Sequence, residues 1–319
     1  MTVRLLKLLQ ARPQQWVVME ALCRELSAQP QQIAKAVAEL GSRGFHIDTS
    51  PVDGYRYVVC PEPLWEELLR KPPDCRRLAQ HIKLVQTTGS TNDLARRAAA
   101  DPANDGLVIF AEFQTAGRGR QGASWISPPG MNLLLSVLLF DPQRHLKQHL
   151  LTLASGLALA EAVQQVTAIQ PKLKWPNDLL IDSQKAAGIL VEVCSDSQDT
   201  PVLIIGIGLN CNCLPDELPP NATSLRQAAG RIIDRHALAR AILSHLETWI
   251  DYCLQDRSQH ICRTFLQRSD LLGRTVQLTC KGHRYSGRVV EIDPFQGILV
   301  QLERGGVRLF SPATTSLLS

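Results

Sequence analysis

Leu107-Val-Ile-Phe-Ala-Glu-Phe113, Gly117-Arg-Gly-Arg-Gln-Gly122 and Asn132-Leu-Leu-Leu-Ser-Val-Leu-Leu-Phe140 stand one after another in the chain. The glycines have the spacing G-x-G-x-x-G, so the segment tests for a dinucleotide-binding turn. Such a turn needs a strand before it, a helix after it and an acidic residue about twenty positions on. Leu107 to Phe113 reads as the strand, and Asp141 stands near the required distance. Ser127-Pro128-Pro129-Gly130 and a second apolar strand, however, occupy the place of the helix. Without a helix N-terminus to hold a pyrophosphate, the doubly wound fold is set aside and a mixed sheet is expected. The loop keeps its own chemistry. Glycine lets backbone N–H groups approach an anion, and Arg118 and Arg120 add planar forks of donors that stay charged. A phosphate or acyl phosphate suits it; a solvated turn is the alternative.

Further along, Lys174-Trp175-Pro176-Asn177-Asp178 closes an apolar run and leads through Leu179-Leu-Ile-Asp182 into Lys185-Ala-Ala-Gly188-Ile-Leu-Val-Glu192. The two segments read as a hairpin with charge at its mouth. Ser90-Thr91-Asn92, the glycine–arginine loop, Lys174 to Asp178, Lys185 to Glu192 and Gly206-Ile-Gly208-Leu-Asn210 occur in that order. In this ordered set the sequence resembles the biotin protein ligases. Each motif alone is weak; the series is specific.

Composition is that of a cytosolic enzyme with several domains: 319 residues exceed one hydrophobic core, and 45% apolar content is ordinary. A net charge of +4 gives little support to a large nucleic-acid surface. Nine cysteines, scattered without a C-x-x-C, point to reduced thiols rather than disulfides or zinc. The amino terminus is too charged for a secretory signal, and no apolar run reaches membrane-spanning length. A cytoplasmic location without membrane contact is therefore expected.

Leu5, Leu6 and Leu9, then Val18, Leu22 and Leu26, then Ile33, Val37 and Leu40 recur at helical spacing. Pro30 starts the third helix, and Gly41 or Gly44 ends it. Phe45 to Asp48 and Gly54 to Val59 read as a hairpin, which completes a winged helix-turn-helix over residues 1–62 with the third helix as the DNA reader. That module also precedes the catalytic domain in the biotin ligases that act as repressors. Its chemistry is poor for DNA, with seven basic against six acidic side chains over residues 1–62. Gln31, Gln32 and Lys35 are the candidate DNA contacts, glutamine being able to pair with adenine. Asp53 occupies the wing tip where a cation would hold phosphate. Packing against the catalytic body is the alternative role.

Proline-rich segments at Pro61-Glu-Pro63 and Lys71-Pro72-Pro73-Asp74 mark the start of a second domain, 63–271. Its strands and helices alternate as an α+β fold, with one helical stretch expected over Arg231 to Arg268. The resemblance implies a body similar to the catalytic core of class II aminoacyl-tRNA synthetases. Three short strands within 272–319 suggest a small SH3-like barrel.

What the resemblance implies is ATP-dependent activation of biotin to an adenylate, then transfer to a lysine of the biotin carboxyl carrier protein of acetyl-CoA carboxylase. An anion attacking a phosphate needs cations near both, and Lys185, Arg118 and Arg120 are the catalytic candidates. Ser90, Thr91, Asn92, Gln114, Gly117, Arg118, Gly119, Arg120, Lys185 and Gly188 are the candidate biotin contacts; Ser90 and Thr91 could instead cap a helix. Arg120, Trp125, Lys174, Asn177, Asp178, Lys185 and Asn210 are the candidates for ATP or adenylate, and Asp178 for Mg²⁺. The resemblance also implies a homodimer with adenylate bound and operator DNA as a partner. The loop from Gly117 to Ser124 is expected to close over an adenylate. Two departures bear on ATP: Ala123 and Ser124 are not basic, and the carboxyl end lacks an arginine often found there. A lipoate-attaching ligase and a DNA-binding sensor without catalysis are the alternatives.

Overall fold

The computed structural model describes residues 1–42, 45–58, 63–69, 71–269, 271–293, 296–303 and 305–318, with the side chains of 67 and 68 left aside. The chain divides into two compact units, Met1–Leu68 and Leu69–Ser319. The carboxyl-terminal sheet thus belongs to the same unit as the central one.

In the first unit, α1 (Thr2–Gln10), β1 (Trp16–Val17), α2 (Met19–Leu26), α3 (Pro30–Ser42), β2 (Ile47–Ser50) and β3 (Gly54–Tyr57) make a winged helix-turn-helix. Leu5, Leu9, Leu22, Ile33 and Leu40 are wholly buried in its core, at the positions the helical period selects. β3 lies between β1 and β2, so the wing is an antiparallel hairpin. The first helix stop considered, Gly41, lies inside α3; Gly44, Val59, Pro61 and Glu62 fall outside the described residues.

After the single turn α4 (Glu66–Leu69) come β4 (Ile82–Thr88), α5 (Thr91–Ala98), β5 (Val108–Gln114) and β6 (Leu133–Phe140). Next are α6 (Gln148–Thr167), β7 (Lys172–Lys174), β8 (Asp178–Ile181), β9 (Gln184–Ser195) and β10 (Pro201–Leu209), followed by α7 (Leu225–Ala229), α8 (Arg235–Leu254) and α9 (Ser258–Ser269). The strands form a seven-stranded sheet in the order β4-β5-β6-β10-β9-β8-β7, parallel only at β4 and β5. The mixed sheet follows from short turns. Asp182 and Ser183 both take left-handed backbone (φ 48° and 65°), the geometry of a two-residue hairpin turn between β8 and β9.

α6 is buried nearly all round and packs on α8, α9 and β9. Gly156 of α6 faces Ile189, whereas the neighbouring Gly188 faces Trp125. Alternation along the strand therefore puts the helix layer and the Trp125 side on opposite faces of the sheet. The single helix expected over Arg231 to Arg268 is two helices. Asp234 caps the first through the N–H groups of His236 and Ala237, and Asp256 with φ 53° breaks the chain before the second.

The carboxyl-terminal strands β11 (Thr275–Cys280), β12 (His283–Asp293), β13 (Gly297–Leu302), β14 (Val307–Phe310) and β15 (Thr315–Leu317) form an antiparallel sheet in the order β14-β13-β12-β11-β15. Two of these, β14 and β15, are additional to the expected three. Among the described residues no helix is long and apolar enough to cross a membrane. The described cysteines are free thiols.

Candidate active site

A cavity of about 200 Å³ opens on the sheet face opposite α6. Its floor is glycine. Gly188 and Gly208 pair across β9 and β10, and the Trp125 ring lies over both, so that a side chain at Gly208 would overlap the indole. Gly206 leaves room in the same way for the Asn92 amide. Three small residues on two strands thus let a loop and a helix end come down onto the sheet.

One wall is the start of α5. Ser90 stands at its N-cap position, but its side chain makes no capping bond. The capping alternative is thus not realised for Ser90. The Thr91 N–H donates to Gln114 Oε1 at 2.6 Å, and Thr91 Oγ1 lies 3.1 Å from the same oxygen. Asn92 Nδ2 donates to Glu192 Oε2 at 2.7 Å.

The opposite wall is the glycine–arginine loop. Its ends are joined by the Trp125 N–H donating to the Gly117 carbonyl and the Gly119 N–H to the Ala123 carbonyl. Gly117 sits beneath this crossing, against the Trp125 carbonyl and the Gln114 amide, where a Cβ has no room. Arg118 binds Asp93 through both terminal nitrogens (2.9 and 2.8 Å) and lies 3.5 Å from Glu192. The pairing holds the Asp93 carboxyl below, and the Arg118 guanidinium above, their ordinary values. Arg120 donates to Asn177 Oδ1 at 3.1 Å and to the backbone carbonyls of Pro312 and Thr315. Burial lowers its pKa, opposed by the nearby Asp178 carboxylate. The loop is therefore docked on the carboxyl-terminal sheet, a contact between residues 192 or more positions apart.

The hairpin supplies the third side. Lys185 Nζ lies 2.7 Å from Asp178 Oδ1 and 5.8 Å from the centre of the Trp125 ring. That carboxylate oxygen is buried, and the Lys185 ammonium is its ionic partner. The indole Nε1 of Trp125 is likewise buried with no hydrogen-bond partner. A contiguous cavity of about 700 Å³ runs from Arg118 and Arg120 toward Gln148, His149 and Ser311. Among the described residues no group of three or more His, Cys, Asp or Glu side chains is placed to hold a metal.

The cavity therefore brings together Ser90, Thr91, Asn92, Gln114, Arg118, Gly119, Arg120, Trp125, Asn177, Asp178, Lys185 and Gly188. Three candidates do not border it: Gly117, which lies beneath the loop crossing, Lys174 and Asn210. Lys174 lies on β7, beyond Asp178 in the pairing. Asn210 is buried, donating to the Thr223 carbonyl and accepting from Asn132 Nδ2, so its amide is spent on the loops behind the site. Sequence reasoning gave no role to Asp93, to Glu192 or to Ser136. Ser136 bridges Thr91 and Asn92 from below. A single hydroxyl within the apolar run from Leu133 to Phe140 was its signal.

In the first unit Gln31, Gln32 and Lys35 lie on the exposed face of α3. Gln32 Oε1 accepts the Gln29 N–H and so finishes the helix start. At the wing tip Asp53 accepts the Ser50 hydroxyl, and Arg56 of the wing is held by Asp48 at 2.6 Å and by the Trp16 ring at 4.6 Å.

Residues 84–210 match the biotin/lipoate A/B protein ligase family. The chain is 30% identical to the bifunctional ligase/repressor BirA of Escherichia coli over 291 residues, 90% of this chain and 88% of that one. It is 35% identical over 213 residues to the protein of the same name from Bacillus subtilis, a match spanning 66% of each. Among solved structures, the biotin protein ligase of Aquifex aeolicus in complex with biotin and ATP is similar with a TM-score of 0.65 at 27% identity. That likeness covers 75% of this chain and 99% of the other. Taken with the fold and the cavity, these likenesses place the chain in the biotin protein ligase family.

Proposed function

We propose that this chain activates biotin with ATP to biotinyl-5'-AMP and transfers the biotinyl group to a lysine of a biotin carboxyl carrier protein. The observation that carries the reading is the convergence of Lys185 and Arg120 with Ser90, Thr91 and Gln114 on one glycine-floored cavity. The uncharged groups suit the ureido head, which offers N–H donors and a carbonyl acceptor. The cations suit the other end, where a carboxylate meets a phosphate.

In the first step a biotin carboxylate oxygen forms a bond to the α-phosphorus, and the bond from that phosphorus to pyrophosphate breaks. Both partners are anionic. Lys185 reduces their repulsion with a compact ammonium that follows the developing charge, and Arg120 holds the phosphate in its fork. In the second step the acceptor amine attacks the acyl carbon, AMP leaves, and the nitrogen loses a proton. Water must be kept from the mixed anhydride meanwhile, and the Arg118–Asp93 and Arg120–Pro312 contacts support a role for the loop as its cover.

Mg²⁺ supplies charge neutralisation on ATP phosphates, and Asp178 is the residue that would hold it. Its carboxylate is a hard oxygen donor that now pairs with Lys185 at 2.7 Å, so a cation held there would take the place of that ammonium. Incubation with ATP, Mg²⁺, biotin and a carrier domain tests the activity. Release of pyrophosphate with biotin on the carrier is expected; biotin binding with neither product would leave a ligand sensor.

A second role follows from the first unit. We infer repression at an operator, because Gln31 and Lys35 are exposed on the helix that a winged module lays in the major groove. With Arg56 tied to Asp48, few cations face phosphate, so affinity should be low and weakly dependent on salt. Dimerisation of the adenylate-bound form would raise it by joining two modules. A gel-shift titration with promoter DNA, with and without biotin and ATP, decides this; equal and sequence-blind binding in both would contradict it.

A further inference from the structure

Ser136 lies beneath the cavity, wholly buried in a strand that is otherwise apolar. Its hydroxyl oxygen is 2.7 Å from Thr91 Oγ1 and 2.6 Å from Asn92 Oδ1. Thr91 Oγ1 is in turn 3.1 Å from Gln114 Oε1. These three oxygen–oxygen contacts share two hydroxyl protons, one from Ser136 and one from Thr91.

The Asn92 amide fixes the sharing. Its Nδ2 donates to Glu192 Oε2, and an ionised carboxylate only accepts, so Oδ1 is the atom that faces Ser136. Oδ1 cannot donate. Two oxygens 2.6 Å apart require a proton between them, so the Ser136 proton goes to Asn92. The 2.7 Å contact then takes the Thr91 proton, and the longest contact, to Gln114, has none. Gln114 Oε1 is already served by the Thr91 N–H. A directed chain results, from Thr91 through Ser136 to Asn92, and in parallel from the Asn92 amide to Glu192. Glu192 is itself anchored by Arg96 at 3.0 Å.

We propose that Ser136 is a positioning residue that sets the direction of the Thr91 hydroxyl and makes it an acceptor toward the cavity, selecting a ligand N–H at that point. Gln114 Oε1, also an acceptor, strengthens the same preference. For a biotin substrate the selected group is a ureido N–H, so this role rests on the biotin reading of the cavity. Ser136 touches no ligand; it acts through Thr91.

The test is a double-mutant cycle of Ser136→Ala and Thr91→Val, read by biotin binding and by KM values for biotin and ATP. Each of the two cyclic carbamate analogues of biotin, with one ureido N–H replaced by oxygen, is compared with biotin. Wild type should favour biotin over one carbamate by roughly a hundredfold, because an acceptor would face an acceptor. In Ser136→Ala the hydroxyl can turn, so biotin KM rises about tenfold, ATP KM stays, and the preference shrinks to within about threefold. In the Thr91→Val background, Ser136→Ala should change nothing further. If Ser136→Ala does not accumulate as folded protein, Ser136→Cys, a weaker donor of similar size, is carried through the same cycle. Additive effects, or equal losses for biotin and ATP with the carbamate preference intact, would overturn the role while leaving the biotin reading standing. A wild-type chain that binds no biotin would overturn both.

Discussion

Lys185 Nζ stands 2.7 Å from Asp178 Oδ1, a diagonal contact across the β8–β9 hairpin in which Lys185 pairs with Leu180 and Asp178 with Gly188. The cavity's compact cation is therefore neutralised by a carboxylate that a phosphate and its counter-ion would have to relieve. Lys185→Ala removes the charge that both reactants need. Biotin-dependent pyrophosphate release should fall on the order of a hundred- to a thousandfold, with biotin affinity changed far less. Unaltered release would remove Lys185 from the mechanism.

Asp178→Asn keeps the shape and deletes the charge. Half-maximal activity should then require at least about tenfold more Mg²⁺, since an amide oxygen is a weaker ligand for a hard cation. An Mg²⁺ titration that superposes on that of wild type would exclude Asp178 as the holder.

Arg120 links the loop to Asn177 and to the carbonyls of Pro312 and Thr315. Arg120→Gly removes all three contacts and the phosphate fork together. The adenylate should escape before transfer and label lysines of unrelated proteins, a change read by blotting mixed proteins for biotin. An Arg120→Gly enzyme that labels only its carrier would contradict the retaining role.

The Trp125 ring occupies the space where a Gly208 side chain would stand. Gly208→Ala should push the indole off the floor at a cost of about 1–3 kcal/mol in stability. Tryptophan emission and the KM for ATP should shift together; a wild-type KM would show that the ring packs without serving the nucleotide.

The glycine floor illustrates what the sequence made legible and what it did not. Two apolar strands around a glycine–arginine loop, with prolines where a helix was needed, were enough to reject the doubly wound fold. The hairpin from Asp178 to Glu192 was also legible, because its turn falls between two apolar runs. Which strand glycines lie under which ring was not, since Gly188, Gly208 and Trp125 meet only once β9 and β10 pair. Asn210 looked available beside two glycines, yet Asn132 and Thr223 occupy its amide. The Arg120 contacts with Pro312 and Thr315 join distant segments and leave no local pattern. β14 and β15 are too short for alternation to show. Ser136 was visible as a lone hydroxyl, but its partners come from α5.

His149 is buried beside Trp175, and burial pushes its pKa down from 6.5 to about 4. Because the folded value lies below the unfolded one, the unfolded chain binds more protons between them. Stability is thus fully present above pH 6.5 and is lost as pH falls toward 4, by at most on the order of 2–3 kcal/mol. His149→Phe should flatten the thermal-unfolding profile over that window. Parallel profiles for the two proteins would show that another group governs acid sensitivity.

The most direct measurement is a single turnover of the purified chain with ATP, Mg²⁺ and biotin and no carrier, analysed for biotinyl-5'-AMP and pyrophosphate. One adenylate per active chain, retained by the protein and matched by one pyrophosphate, is the predicted result. Biotin binding with neither adenylate nor pyrophosphate formed would contradict the assignment of Lys185 and Arg120 to chemistry.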